Sequence, residues 1–188
     1  GNYGPLLEGL EGLLESLEPS DPAIEGIAFR LFELTFLDGQ IRKAAAYLQT
    51  SFEAADRQVT IRPGEYLRDH NLKMADFWLL HGDADQAKLG ERVAHETREN
   101  LVRITSQGYR RPNTLIMLGY AHALVGDING MYSAMDEAID RGFRDLSKLN
   151  TIARTEDIKM RAEFLERIHR VEALIAVEKD NLAAMELP

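Results

Sequence analysis

The chain contains no cysteine. That excludes disulfides and thiolate metal sites and suits a reducing compartment, so a cytoplasmic location is expected. Also missing is any apolar run near the ~20 residues that a bilayer-spanning helix needs, and no membrane partner is expected. The N-terminus has no basic segment followed by an apolar core, so no signal peptide is read there. Its first residue is glycine rather than methionine, which fits a cleaved tag and a chain cut from something longer. Positive charge is in deficit: 22 Lys+Arg stand against 31 Asp+Glu, a formal net charge of -9. Nucleic-acid binding normally requires a basic surface to displace counterions from phosphates, so no nucleic-acid partner is expected. The basic pair Arg110-Arg111, between Tyr109 and Pro112, reads as a solvated connection.

Catalytic and metal-binding patterns are equally scarce. His70, His81, His95, His122 and His169 are scattered over different segments. "HGDADQ" brings His81, Asp83 and Asp85 close in sequence, but a helix end, a glycine break and a capping aspartate produce the same string. No HExxH or EF-hand loop accompanies it. His122 reads as a satisfied interior imidazole. A di-iron bundle needs paired Glu-x-x-His motifs, and Glu166–His169 supplies one. No serine sits in a nucleophile elbow. The expectation is a protein without metal, cofactor or catalysis.

What the chain has is helical periodicity punctuated by Gly and Pro. Leu6, Leu10, Leu13 and Leu17 space a first helix that stops at Pro19. Asp21-Pro22 opens a second, with Asp as N-cap and Pro in the first turn. Ile24, Ile27, Ala28, Leu31 and Leu34 stripe it, and Asp38-Gly39 ends it. Ile41, Ala44, Ala45, Leu48, Phe52 and Ala55 mark a third helix that fades before Pro63. A fourth is expected from about Gly64 to Leu80, carrying Leu67, Met74, Phe77 and Trp78. Gly82-Asp83 breaks it and caps a long fifth, closed by Gly108 and Pro112. Two short helices hinge on Gly126-Asp127. After Gly142 comes a less regular bridge, then a last helix with Phe164, Ile168, Val171 and Ile175. No useful β alternation appears, so the fold class is all-α.

The hinge glycines Gly39, Gly82 and Gly126 stand 43 and 44 residues apart. At fixed offsets around them lie Leu31, Met74 and Leu118, then Ala44, Ala87 and Met131, then Ser51, Ala94 and Ala138. Small residues at such offsets let two helices approach closely, and this self-similarity marks a stacked helical array. "LGYAHALVGDINGMYSAMDEAI" resembles a tetratricopeptide repeat. Leu118-Gly119 matches the leucine-glycine pair of that family's first helix, Ala121 its small inner residue, Gly126-Asp127 its turn and Ala138 its late alanine. The middle unit keeps Gly82-Asp83, Ala87 and Ala94, with Ala75 at the glycine position. The first keeps Gly39 and Ala44, with Phe32 there. The period exceeds the family's usual ~34 residues.

That resemblance implies a right-handed α-solenoid in one domain. An N-terminal capping helix (1–20) precedes hairpins at 21–62, 63–110 and 111–143, and a capping segment (144–188) follows. The family's groove offsets then fall on Phe29, Glu33, Phe36 and Leu37, on Asp69, Leu72, Asp76, Leu79 and Leu80, and on Asn113, Ile116, Tyr120 and Leu124. They imply a non-catalytic scaffold that binds an apolar or basic peptide segment of a protein partner, with acidic points at Glu33, Asp69 and Asp76. The alternative is a dimerisation or regulatory module, attached to an upstream cyclase or transcriptional regulator of a bacterial signalling protein, with the groove filled by its own terminal helices. The breadth of leucine around the first helix, at positions 6, 7, 10, 13, 14 and 17, means that it is buried against something. It reads first as a cap on the first hairpin, with homodimer packing or docking on such a domain as the alternative.

Overall fold

The computed structural model describes residues 3–55, 70–152 and 156–185. Among them every regular element is a helix. Helix α1 (Gly4–Ser16) leads to a hairpin of α2 (Ala23–Leu37) and α3 (Ile41–Ala54). A second hairpin joins α4 (His70–His81) to α5 (Ala84–Ser106), and a third joins α6 (Pro112–Leu124) to α7 (Ile128–Asp140). Two short helices, α8 (Leu146–Ile152) and α9 (Glu156–Lys159), form the expected bridge before the long α10 (Ala162–Met185). The expected start of the fourth helix at Gly64 lies outside the described residues, as does Asp69.

Four of these helices end by one device. Beyond α2, α5, α6 and α7 stands a glycine with positive φ, at Gly39, Gly108, Gly126 and Gly142. The residue after each glycine donates its N–H back across the last turn: Gln40 to Thr35, Tyr109 to Ile104, Asp127 to His122 and Phe143 to Ala138, at 2.8–3.1 Å. This is the Schellman closure, in which a left-handed residue satisfies carbonyls the helix leaves open. Gly82 differs from Gly39 and Gly126 despite its equivalent place in sequence. A Cβ there would stand 2.5 Å from the Trp78 carbonyl oxygen and 2.7 Å from the Gln86 Cβ, so this glycine is required by space rather than by φ.

Helix starts follow their expected chemistry. Asp83 accepts from the N–H groups of Asp85 and Gln86 while Gln86 accepts from Asp83, a complete capping box that settles how "HGDADQ" is used. Asp127 Oδ1 accepts from Gly130 N–H at the start of α7. Asp21 Oδ1 accepts from Ala23 N–H at the start of α2, although Pro22 holds the formal cap position.

Within each hairpin the two helices pack along their length, and α6 also contacts both α4 and α5. Ala44, Ala94, Met131 and Ala138 are completely buried, as their offsets from the hinges predict. The crossing of α4 and α5 is close: a Cβ on Gly90 would meet the Ala75 carbonyl oxygen at 3.0 Å. One core runs from Phe29 in α2 to Val171 in α10. A smaller cluster of Leu7, Leu31 and Leu34 lies under α1, with Leu10 and Leu14 half-buried against it. So one face of α1 covers the first hairpin, and the other leaves Leu6 and Leu13 exposed. The Tyr47 hydroxyl of α3 donates to Glu11 of α1 at 2.5 Å. Burial first, and then this carboxylate, push the Tyr47 phenol up to about 12.

At the far end α10 covers α7 and α8, with Phe164 and Val171 in the core. Ion pairs of Arg167 with Asp136 and Arg170 with Asp140 tie it to α7. No helix among the described residues is long and apolar enough to cross a membrane.

Candidate partner-binding face

Helices α2, α4 and α6 stand side by side, and aromatic rings make the first of their two seams. Phe29 of α2 stacks on His70 of α4 with ring centres 3.7 Å apart, and Phe32 meets Phe77 edge-on at 5.2 Å. Lys73 of α4 reaches Glu33 of α2 at 2.6 Å, and Arg30 reaches the other oxygen at 3.0 Å. Burial by itself would raise the Glu33 carboxyl. The hydrogen bonds and charges of Lys73 and Arg30 outweigh it and hold the group below the ordinary carboxylate value.

At the C-terminal ends of α2 and α4 the seam opens to solvent. Phe36 lies across Phe77 at 5.6 Å and His81 at 5.8 Å and is 39% exposed. Its neighbour Leu37 is 67% exposed, and Leu80, beside His81, is 50% exposed. The periodicity of both helices continues past the core at this edge, so the apolar stripe runs into water. Asp38 follows Leu37 directly and Asp83 stands three residues after Leu80; both are exposed, and neither has an ion pair among the described residues. The helix ends thus expose one ring and two aliphatic side chains, each followed closely in the chain by a carboxylate.

The described residues expected to line a groove divide into four groups. Phe36 stands at the open edge, with Leu37 and Leu80. Glu33, Asp76 and Leu79 are half-buried, and the Asp76 carboxylate accepts a 2.7 Å hydrogen bond from the Tyr120 hydroxyl. That bond joins α4 to α6, so these two predicted residues come together as a structural link. Phe29, Leu72, Ile116, Tyr120 and Leu124 are buried. Their place is the core, because α4 and α6 are covered on more than one side and an offset that faces a groove in a thinner array faces a neighbour here. Asn113 is exposed but stands two turns before Tyr120, at the start of α6 and away from the ring edge.

Elsewhere, His122 is mostly buried and its Nδ1 lies 2.8 Å from Asp127 Oδ2. Glu166 and His169 are both exposed on α10. No group of three or more metal-ligating side chains comes together among the described residues. The sequence matches no known protein-family model, and no curated protein resembles it significantly.

Proposed function

We propose that this domain is a non-catalytic interaction module that docks an apolar, basic segment of another protein. The site is the edge formed by the C-terminal ends of α2 and α4, and the tetratricopeptide-like stacking of hairpins is the scaffold that presents it. The observation that carries this reading is the exposure of Phe36, Leu37 and Leu80, followed in the chain by Asp38 and Asp83, which have no ion pair among the described residues. Contiguous exposed apolar surface with a polar border is characteristic of interaction sites. Acidic charge around such a surface chiefly sets specificity and encounter rate, and it favours a partner carrying Lys or Arg.

The test is selection of displayed peptides on the immobilised domain. Enriched sequences should pair aromatic or aliphatic residues with Lys or Arg. The double variant Leu37→Ser/Leu80→Ser should lose their binding while keeping its unfolding midpoint. Enrichment of acidic peptides, or unchanged binding by the variant, rejects this edge as the site.

The exposed Leu6 and Leu13 on α1 favour a second reading, self-association through that helix. Sedimentation equilibrium separates the two, since a dimer dissociated by Leu6→Ser/Leu13→Ser supports the second alone.

A further inference from the structure

A cleft of about 1000 Å³ opens between the loop before α6 and the loop after α7, remote in sequence from the ring edge. Its floor is apolar, built by Pro112, Met117, Phe143 and Leu146. Its polar groups point to one ligand class. Helix α6 begins with Pro112 in its first turn, and its cap residue Arg111 supplies no side-chain cap. The first bond of the helix is Leu115 N–H to the Arg111 carbonyl at 3.0 Å. The N–H groups of Asn113 and Thr114 are therefore without acceptors among the described residues, at the positive end of the helix dipole.

Two further observations distinguish this helix start from a merely solvated one. Thr114 lines the cleft yet is only 3% exposed, and its hydroxyl makes no hydrogen bond among the described residues. The little area that Thr114 exposes leaves its hydroxyl open to the cleft, where a ligand oxygen can pair with it. Across the cleft Arg144 is held in place: Nη1 donates to the carbonyls of Ile139 at 3.0 Å and Phe143 at 2.8 Å, and Nε to Glu178 at 2.9 Å. This leaves the Nη2 donors of a fixed, half-buried guanidinium at the cleft wall. Arg111, also lining the cleft, lies over the Tyr109 ring at 5.2 Å and has no ion pair among the described residues. Asp145, the acid on the same wall, accepts at Oδ1 from Lys148 N–H at the start of α8.

We infer that this cleft binds a small organic anion, with its carboxylate or phosphate head at the start of α6 and its apolar body on Phe143 and Met117. The head accepts from the N–H groups of Asn113 and Thr114 and from the Thr114 hydroxyl, and Arg111 and Arg144 balance its charge. A volume of this size accommodates a ligand larger than a bare ion.

The experiment follows the amide resonances of Asn113 and Thr114 in the isotopically labelled full chain. It titrates phenyl phosphate, phenylacetate, inorganic phosphate and, as a neutral control, benzyl alcohol. Saturable shifts with phenyl phosphate or phenylacetate are expected, and whichever binds more tightly identifies the head group. Arg111→Ala and Thr114→Val should each weaken that binding about tenfold, as loss of a hydrogen bond or charge contact to an ionised group does. Arg111 is exposed, so its variant should keep the fold, which the dispersion of the same spectra verifies. The inference is overturned if neither organic anion produces saturable shifts, or if benzyl alcohol or inorganic phosphate binds as tightly as they do. Unchanged binding in both variants overturns it as well.

Discussion

The seam between α2 and α4 is filled with rings, whereas the seam between α4–α5 and α6 is closed by aliphatic side chains and the Tyr120–Asp76 bond. Both seams are buried at their centres, with Trp78, Leu101 and Leu115 all essentially inaccessible. They differ at their edges. Phenylalanine covers much area with little side-chain freedom to lose, so a few rings bind two hairpins together without close backbone approach. Rings spaced along a helix also overrun the seam, and Phe36, Leu37 and Leu80 are what remains outside. In the other seam Ile116 and Tyr120 are both buried, and no comparable apolar edge is left among the described residues. The chemistry that joins the first two hairpins thus also supplies the surface proposed for docking.

The sharpest way to break this comparison is to empty each seam in turn. Trp78→Ala removes a ring met edge-on by Phe52 at 5.1 Å and should cost about 3–5 kcal/mol in urea unfolding. Leu115→Ala should cost about 2–4 kcal/mol, near the middle of the range for buried leucine. A larger loss from Leu115 than from Trp78 would show that the rings are not the stronger joint.

Next in size is the α4–α6 bond. Tyr120→Phe leaves the Asp76 carboxylate half-buried without the phenol and should cost about 1.5–3 kcal/mol. A double-mutant cycle with Asp76→Ala isolates the pair; a coupling near zero would mean that the bond only accompanies packing.

A smaller, pH-dependent effect belongs to the third hairpin. Glu137 on α7 is bonded by Arg110 from the loop before α6 and by Arg141. The Arg110 bond first, opposed by burial and helped by Arg141, lowers its carboxyl from 4.5 to about 2. A depressed carboxyl contributes stability above its unfolded value and loses it as pH falls through its folded one. The stability difference between the parent and Glu137→Gln should therefore be constant at neutral pH and shrink between about pH 4.5 and 2. A difference independent of pH over that interval would contradict the assigned ion pairs.

Smallest of all should be the effect of the open edge on folding. Phe36→Ala keeps Phe77 in contact with Phe32, and Leu37→Ser alters a side chain already in water. Surface changes of the latter kind stay within about 0.5 kcal/mol. A cost above ~2 kcal/mol for Leu37→Ser would place this edge in the fold's core and not at an interface.

The hairpin order was legible because its signals are local. Asp83 and Gln86, three residues apart, specify a capping box, and Gly39 and Gly126 specify left-handed turns. The open face was harder to read. Helix α6 buries Thr114, Leu115, Ile116, Leu118, Tyr120 and Ala121, which lie all around its axis. A helix with neighbours on several sides has no contrast in its periodicity, so nothing in the string separates a residue facing a groove from one facing a partner helix. Phe32 and Phe36 show the reverse limit: one heptad-like stripe contains both a buried ring and an exposed one, and the difference is only where the neighbouring helix ends. From the sequence alone the cleft beside α6 reads as a solvated arginine loop, because Arg144 reaches it from another element and Thr114 carries no motif.

Helix α10 spans 24 residues, roughly 36 Å at the usual rise. Core contacts reach from its start as far as Ile175, through Phe164, Ile168, Val171, Leu174 and Ile175. Glu178, bonded to Arg144, is the last side chain with a described tie to the rest of the chain, and beyond it Leu182 and Met185 face solvent. The two halves consequently keep different time. Amide protons near Val171 are released to solvent deuterium only when the core opens. Those after Glu178 are protected by little more than one turn's bond to the next and exchange by local opening. Deuterium uptake along this one helix would pass from slow to fast near Glu178, and loss of the Arg144 contact would move that boundary toward the N-terminus.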